Sequence, residues 1–277
     1  PVIGVIGAGQ LGRMLALAGT RLGARFAFYE DVPSSTSETL GKLYHQHQLQ
    51  AFIDSVDVVT FESENTPVAL IEQIAQHKPV FPPAKALFTA QHRGREKTLF
   101  RSLGIQTAPF ALVNSLAELQ AAVESIGLPA VLKTTTEGYD GKGQAVLRSP
   151  DDVASAWESI GHRELILEGF VRFQRELSIV AVRDAQGNTV FYPLVENQHQ
   201  DGILRVTLAP APAVSTATST QAQTMMQAIM DALDYVGVMA LELFDTENGL
   251  VVNEMAPRVH NSGHWSQIGR ASCRERV

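Results

Sequence analysis

The chain contains only one cysteine, Cys273, among its 277 residues. A single cysteine excludes an internal disulfide framework and a zinc site built from several cysteines. No apolar run reaches the length of a membrane-spanning helix, and the N-terminus enters a strand pattern without the layout of a signal peptide. No basic tract offsets the net charge of -7, so a general nucleic-acid binder is not expected. These absences predict a cytoplasmic protein that binds neither membranes nor nucleic acids.

The composition is that of an ordinary globular protein, with 45% apolar and 18% charged residues. A chain of 277 residues is too long for one small core and is expected to form two or three subdomains. Residues 270–277 break the apolar rhythm and contain three arginines. We therefore exclude them from the predicted fold as an unrelated tail.

The chain opens with an apolar strand at residues 2–6, then the turn Gly7-Ala8-Gly9-Gln10-Leu11-Gly12, then a helical pattern. This order is typical of dinucleotide-binding folds, in which glycines let a phosphate approach the helix N-terminus. A second strand, residues 25–29, ends at Glu30 and Asp31, where a dehydrogenase would place a ribose-binding acid. Taken alone, these features favour a nicotinamide enzyme, although the same turn also serves as a plain phosphate cradle in other folds.

A third strand, residues 56–61, delivers Glu62, Glu64 and Asn65 to its carboxyl end. Polar residues at that end of an open parallel sheet are usually where ligands bind. For Glu64, a loop carboxylate that caps the next helix is an equally good interpretation.

Basic residues flank a glycine-rich loop in the middle of the chain. A strand at residues 129–133 ends in Lys133, and the loop 134–144 contains three glycines and Lys142. Such a loop can close over phosphates, but it is not a P-loop because the sequence G-x-x-x-x-G-K-[ST] is absent. The preceding segment, residues 84–103, is predicted to be one helix; its cluster of Arg93, Arg95 and Lys97 would by itself indicate a solvated face.

Two strands joined by a short linker, residues 164–170 and 176–183, suggest a slot for a flat apolar ring. The backbone amides of residues 169–171 would bind the edge of adenine, and Glu176 would bind the ribose hydroxyls. Further along, the pattern predicts a strand at residues 191–195 and a helix at 215–236.

The segment 238–265 is predicted to form a strand, a turn, a second strand and a polar loop. Glu242 and Glu254 interrupt its apolar runs, where a charge is costly unless it is paired or bound to a metal. A three-residue loop at 247–249 would place the two glutamates opposite each other, and a two-residue turn at 248–249 would place them on opposite faces. Facing carboxylates favour a Mg²⁺ site bridged to phosphate over a solvated hairpin.

These features occur in an order that resembles the ATP-grasp superfamily. Five strings resemble one of its families, the N5-carboxyaminoimidazole ribonucleotide synthetases: GAGQLGRM, EGYDGKGQ, EGFVRFQRELS, YPLVENQHQDGILR and NEMAPRVHNSGHWS. The similarity extends from residue 2 to about residue 269. It implies an α/β fold with a Rossmann-like pre-ATP-grasp domain at 1–83 and a two-lobed α+β ATP-grasp domain. The lobes would be residues 84–170, including a linker helix, and residues 171–269.

The resemblance implies a ligase of purine biosynthesis. ATP and bicarbonate would form carboxyphosphate, which would carboxylate 5-aminoimidazole ribonucleotide. Mg²⁺, or Mn²⁺ in its place, would bind to Glu242 and Glu254, and Arg258, His260 and Lys142 would be catalytic. The implied ATP contacts are Arg93, Lys133, Glu168, Gly169, Phe170, Val171, Glu176 and Asn253. The implied ribonucleotide contacts are Gly9, Gln10, Leu11, Glu64, Tyr139, Asp140 and Lys142.

The resemblance also implies a homodimer and a C-terminal region beyond residue 269 that helps to close the active site. Because the similarity stops there, we expect a chain shortened at its C-terminus. Two alternatives compete with the carboxylating ligase: another ATP-grasp ribonucleotide ligase that uses formate or glycine, and a nucleotide-binding module without turnover. A nicotinamide oxidoreductase would explain only the N-terminal turn.

Overall fold

In a computed structural model of the chain, the described residues are 1–32, 35, 37–136, 143–161, 163–200 and 202–267. The three sheets follow the architecture that the resemblance implies: a Rossmann-like domain precedes two further lobes, each built on its own sheet. Among these residues, every helix is too short or too polar to cross a bilayer.

A four-stranded parallel sheet forms the N-terminal domain. Its strands are β1 (Val2–Ile6), β2 (Arg25–Tyr29), β3 (Gly41–Tyr44) and β4 (Val58–Phe61), and its helices are α1 (Gln10–Thr20), α2 (Leu49–Ser55) and α3 (Val68–Ala75). The strand order is β3-β2-β1-β4. Helices cover both faces of such a sheet, so the strands are nearly continuous apolar runs, and Val5, Phe28 and Val59 are fully buried. A short 3-10 helix, Gln46–Gln48, precedes α2.

The predicted helix at 84–103 is wrong in one respect, because the structure divides it into α4 (Ala84–Ala90) and α5 (Arg93–Ser102). His92 is extended and its Nδ1 accepts hydrogen bonds from the amides of Gly94 and Arg95, at 3.1 and 3.3 Å. This side chain caps a new helix start and turns α5 toward the second lobe.

The first ATP-grasp lobe is an antiparallel sheet with the order β5-β8-β6-β7. Its elements are β5 (Phe110–Val113), α6 (Leu116–Ile126), β6 (Ala130–Thr134), β7 (Gln144–Leu147), α7 (Asp152–Ile160) and β8 (Leu165–Gly169). The two helices pack on one face of the sheet, and Leu119, Leu132 and Leu167 form the centre of that core.

The second lobe is a larger antiparallel sheet with the path β12-β11-β9-β13-β14, and β10 pairs with the far end of β9. Its elements are β9 (Arg175–Arg183), β10 (Thr189–Phe191), β11 (Val195–Gln200), β12 (Ile203–Leu208), α8 (Thr216–Ala232), β13 (Gly237–Thr246), β14 (Gly249–Ala256) and the 3-10 helix Asn261–Gln267. The predicted strand at 191–195 is wrong: these residues connect β10 to β11, which pair with opposite ends of β9.

The three sheets lie within the predicted segments 1–83, 84–170 and 171–269. Helix α4 belongs to neither side of the first boundary alone, because Leu87 packs into the N-terminal core and Ala86 into the core of the second lobe. The exact bounds of the domains stay a prediction.

Candidate active site

The hairpin of β13 and β14 pairs Glu242 directly with Glu254, as predicted, but the loop that produces this pairing is different. Thr246 pairs with Gly249, so the turn contains only residues 247 and 248. That register alone would place Asn253, not Glu254, opposite Glu242. A β-bulge between the pairs Glu242–Glu254 and Leu243–Val252 inserts Asn253 and restores the facing carboxylates. The predicted three-residue loop is therefore wrong, while the predicted pairing is confirmed.

Two adjacent charged residues of α5 hold this bulge from both sides. Lys97 Nζ donates to the carbonyl of Asn253 at 3.1 Å, and the amide of Met255 donates to Glu96 Oε1 at 2.7 Å. Glu96 and Lys97 are almost fully buried, with 3% and 2% of their surface exposed. Helix α5, which lies between the N-terminal sheet and the first-lobe sheet in the chain, thus fixes the backbone on either side of Glu254.

The role of Glu96 and Lys97 was not predicted from the sequence, because charged helical residues usually face solvent. A signal was present: Arg93, Lys97 and the fully buried Phe100 recur at helical spacing and so share one face of α5.

The two paired glutamates differ in exposure. Glu254 is exposed, whereas Glu242 retains 18% of its side-chain surface and lies 3.4 Å from Asn253 Nδ2. Burial, and then the charge of Glu254, raise the pKa of Glu242 to about 8. The charge of Glu254 opposes ionisation of Glu242, and a cation between the two carboxylates would remove that cost.

The donor set fits a hard cation such as Mg²⁺, which binds oxygen ligands and usually keeps ligands from substrate phosphates. Within the described residues, no group of three or more His, Cys, Asp or Glu could hold a metal ion by itself. The two carboxylates would therefore need phosphate oxygens or water to complete the coordination.

Lys133, a predicted ATP contact, lies beside the buried Glu168. Its Nζ is 3.0 Å from Glu168 Oε2, and Lys97 Nζ is 3.5 Å from the same oxygen. Burial alone would raise the pKa of Glu168, but the charges of Lys97 and Lys133 outweigh it and lower the pKa. The second oxygen, Oε1, is buried without a partner among the described residues. Glu168 is thus an ionised carboxylate with one acceptor available to a ligand.

The predicted adenine slot is corrected in one detail. The amide of Gly169 donates to the carbonyl of Pro109 at 2.8 Å, and that of Phe170 donates to Pro129 at 3.1 Å. These two donors are already used within the sheet, so only the amide of Val171 remains of the three that were expected to bind adenine. The aromatic ring of Phe170 is 52% exposed beside this strand end.

Glu176, the predicted ribose ligand, lies 2.7 Å from His199 Nδ1. A hydrogen bond to Glu176 raises the pKa of His199 and outweighs the effect of burial. His199 was not predicted as a site residue, although it lies within the string YPLVENQHQDGILR that carries the resemblance. Arg93 Nη1 donates to the carbonyl of Thr134 at 2.8 Å, so it lies at the end of β6 where the glycine-rich loop begins.

Arg258 and Glu64, predicted at separate substrates, form a two-pronged ion pair. Arg258 Nη2 donates to Glu64 Oε1 at 2.7 Å and Nε donates to Oε2. Burial alone would raise the pKa of Glu64, but hydrogen bonds from Arg258 and its charge outweigh that effect and lower the pKa. This pair connects the N-terminal domain to the loop after β14. It also shows Glu64 as an ion-pair partner, not a helix cap.

His260 is a neutral imidazole in this site. Burial, and then the charge of Arg258, lower its pKa to about 3. Its Nδ1 accepts from the amide of Ser262 at 3.3 Å, so the proton lies on Nε2, which is 3.5 Å from Glu242 Oε1. His260 is therefore a hydrogen-bond donor adjacent to the paired glutamates.

The glycine turn is partly occupied by carboxylates of the protein itself. The amides of Gly9 and Gly12 donate to the two oxygens of Glu62, and the amide of Ala8 donates to Glu30 Oε2 at 2.5 Å. Within the described residues, the amides of Gln10 and Leu11 have no acceptor. The predicted phosphate contact at Gly9 is thus corrected for its amide, while Gln10 and Leu11 retain open donors.

The predicted residues Tyr139, Asp140 and Lys142 lie outside the described residues, as does the predicted tail at 270–277. The strands on either side of the glycine-rich loop, β6 and β7, form an antiparallel pair.

Two family models match the chain in the order of its domains. Residues 1–91 match the ribonucleotide synthetase preATP-grasp domain, and residues 98–273 match the ATP-grasp domain.

Similarity to known proteins along nearly the whole chain agrees with these models. The N5-carboxyaminoimidazole ribonucleotide synthase of Pseudomonas aeruginosa is 50% identical over 276 residues, covering 98% of this chain and 76% of that protein. The crystal structure of N5-carboxyaminoimidazole ribonucleotide synthetase from Thermus thermophilus superposes with a TM-score of 0.91 at 47% identity, over 96% of this chain and 74% of that one. The Aspergillus clavatus synthase, crystallised with ADP and 5-aminoimidazole ribonucleotide, gives 0.87 at 30% identity over 96% and 72%.

Proposed function

This chain belongs to the N5-carboxyaminoimidazole ribonucleotide synthase family of ATP-grasp ligases, and on that premise we propose how its residues perform the reaction. A bicarbonate oxygen attacks the γ-phosphorus of ATP, the bond to the bridging oxygen breaks, and ADP and carboxyphosphate form. The amine of 5-aminoimidazole ribonucleotide then attacks the carboxyl carbon, phosphate leaves with the electron pair of the C–O bond, and the nitrogen loses a proton.

The observation that carries this proposal is the pairing of Glu242 with Glu254 in the hairpin whose second strand, β14, leads directly to Arg258 and His260. Carboxylates for a phosphate-bound cation and donors for a planar anion are thereby placed on one continuous segment. Mg²⁺, or Mn²⁺, would be held by the two glutamates and would offset the charge that develops on the phosphoryl oxygens.

Basic side chains of the first lobe would orient the nucleotide. Lys133 is positioned by Glu168, and Arg93 by the carbonyl of Thr134, so both cations lie near the end of β6. The partner-free oxygen of Glu168 and the amide of Val171 could bind the edge of adenine, and Glu176 the ribose. Pre-ordered side chains lose little entropy when the substrate binds.

The Arg258–Glu64 pair would serve both chemical steps. Arg258 would bind the activated carboxylate, and Glu64 comes from the domain that would bind the ribonucleotide. Glu64 occupies the Nε–Nη2 side of the guanidinium, so the remaining N–H groups of Nη1 and Nη2 would donate to the bicarbonate or carboxyphosphate, and a neutral imidazole at His260 adds a donor without a second charge. Glu64 orients Arg258 and extends from the domain whose Gln10 and Leu11 amides would bind the ribonucleotide phosphate. The acceptor amine is thus expected to lie between the two domains, next to the activated carboxylate.

Assembly and location belong to the same proposal. We propose a homodimer, as the resemblance implies, and a cytoplasmic location, since the reaction consumes ATP. Bicarbonate as the carboxyl donor and Mg²⁺ as the metal are likewise proposed.

The test of the proposal is ADP release measured with and without bicarbonate and 5-aminoimidazole ribonucleotide. We expect release to require both compounds and to yield one carboxylated product per ADP. ADP release coupled to formate or glycine in bicarbonate-free buffer would contradict the proposal. An equilibrium titration with NADH should show no binding, and micromolar affinity would revive the nicotinamide interpretation of the glycine turn.

A further inference from the structure

The carboxylate of Glu62 lies on the N-terminus of α1. Its Oε1 accepts from the amide of Gly9 at 2.6 Å and its Oε2 accepts from the amide of Gly12. Glu62 follows β4 directly and is buried, with 8% of its surface exposed. A helix N-terminus attracts anions through its free amides and dipole, and here an anion of the protein itself occupies two of those donors.

The glycines of the G-x-G-x-x-G turn are explained by this side chain. A Cβ at Gly7 would lie 2.5 Å from both Cγ and Oε1 of Glu62, and one at Gly9 would lie 3.0 Å from Oε1. A Cβ at Gly12 would lie 3.1 Å from Oε2. Gly7 is therefore needed to leave room for Glu62, while a Cβ at Gly9 or Gly12 would be tight against it, and one at Gly12 equally tight against the carbonyl of Gly7. Glu62 takes the place that a pyrophosphate occupies in a dinucleotide-binding fold.

We propose that Glu62 is a specificity-determining residue that fills half of the anion site of the glycine turn. Among the described residues of the turn, this leaves the amides of Gln10 and Leu11 for a ligand. Two adjacent donors suit one phosphate group, whereas a second phosphate would meet the carboxylate of Glu62. The turn therefore accepts a ribonucleotide monophosphate and rejects pyrophosphate-containing nucleotides. This inference rests on the proposed function only for the identity of the monophosphate.

Pyrophosphate binding gives a direct test, measured by isothermal titration calorimetry with saturating ADP to fill the ATP site. Glu62→Ala frees the amides of Gly9 and Gly12, and each freed amide would donate a hydrogen bond to a charged oxygen of the ligand. We expect inorganic pyrophosphate to bind Glu62→Ala at least about tenfold more tightly than the unaltered protein. Ribose 5-phosphate should compete with it, because both ligands would use the amides of Gln10 and Leu11.

Glu72→Ala is the matched control, since Glu72 is an exposed glutamate on α3 of the same domain and its loss changes net charge equally. The control should bind pyrophosphate no better than the unaltered protein. Equal binding by Glu72→Ala and Glu62→Ala would overturn the inference, as would a folded Glu62→Ala protein with no gain.

Glu62→Gln keeps the test decisive if the alanine variant does not fold. Its amide group retains one acceptor oxygen and loses the charge, so the amide resonances of Gly9 and Gly12 should shift in a ¹H–¹⁵N spectrum while that of Gly23 stays in place. Unchanged resonances at Gly9 and Gly12 would refute the contact. Neither measurement requires turnover. If Glu62→Ala gains pyrophosphate binding while the unaltered protein does not carboxylate the ribonucleotide, the proposed function alone is refuted.

Discussion

The protein places buried or half-buried carboxylates at two ligand sites, with opposite electrostatic surroundings. In the N-terminal domain, Glu62 accepts hydrogen bonds from the backbone amides of Gly9 and Gly12. In the second lobe, Glu242 faces Glu254, and its pKa rises to about 8. Both oxygens of Glu62 have hydrogen-bond partners within the protein, whereas the pairing of Glu242 with Glu254 favours an added cation.

This difference is the reason that we propose different functions for the glycine turn and the hairpin. A carboxylate that is satisfied by amides closes a site and selects what else can bind. Two carboxylates that repel each other create a demand for a cation, which substrate phosphates can share. On the two proposals made above, similar side chains would give specificity in one region and cofactor affinity in the other.

The largest expected effect is at the hairpin. Glu254→Gln should lower Mg²⁺-dependent turnover by about 100-fold or more, because metal stabilisation of phosphoryl charge is worth several kcal/mol. Glu247→Gln, at the exposed turn of the same hairpin, is the control and should have normal turnover. Normal activity of Glu254→Gln at ordinary Mg²⁺ concentration would remove this residue from the metal site.

Lys97→Met should weaken cation binding at the hairpin although Lys97 is not one of the proposed metal ligands. Methionine keeps the length of the side chain but cannot donate to the carbonyl of Asn253, so the bulge that aligns Glu254 is released on one side. We expect Mn²⁺ affinity, measured by electron paramagnetic resonance with ADP present, to fall by about 10–100-fold. Lys85→Met is the control, because Lys85 is 58% exposed on α4. Equal Mn²⁺ affinity in the Lys97→Met and Lys85→Met variants would show that Lys97 does not support the bulge.

Gly7→Ala sharpens the comparison from the other side. Gly7 and Gly23 both have positive φ, +100° and +83°, but only Gly7 has Glu62 within contact distance. Gly7→Ala should therefore lower the free energy of unfolding by about 1–3 kcal/mol more than Gly23→Ala, measured by denaturant titration. Removing Glu62 as well should recover part of that difference. Equal costs at Gly7 and Gly23 would show that the turn does not need room for Glu62.

The smallest effect is the pH dependence of the Arg258–Glu64 pair, which links the two regions. The pKa of Glu64 is lower in the folded protein than its ordinary value of 4.5, so the unfolded chain binds more protons between the two values. The stabilisation is complete above pH 4.5 and is lost as the pH falls through the lowered pKa. In an acid titration, the difference in stability between the unaltered protein and Glu64→Gln should shrink as the pH falls. In an Arg258→Gln background this pH-dependent difference should disappear.

Local patterns predicted much of the secondary structure. Strands β1 and β2 have the predicted bounds because continuous apolar runs between glycine-rich turns are distinctive. The helix at 84–103 was predicted without its break because His92 acts as a cap only through its side chain. The strand at 191–195 was misplaced because its pairing partners on β9 are not visible in the local pattern.

The candidate site shows the same limit. Its residue types could be predicted, since glutamates inside apolar strands and basic residues near a glycine-rich loop are unusual locally. The outcome at the hairpin was predicted for the wrong reason, because the bulge at Asn253 depends on Glu96 and Lys97, more than 150 residues away. The pairing of Glu64 with Arg258 joins residues 194 apart in the chain and has no local signature.

The order of residues was thus sufficient for the family, the sheet-forming segments and the chemical character of each site. The fold alone decided which group faces each carboxylate. These groups are amides of α1 at Glu62, lysines at Glu168, an arginine at Glu64 and a second carboxylate at Glu242. The reason is physical. The energy of a charge depends on the few groups within several ångströms of it, and the folded chain brings those groups together from distant segments.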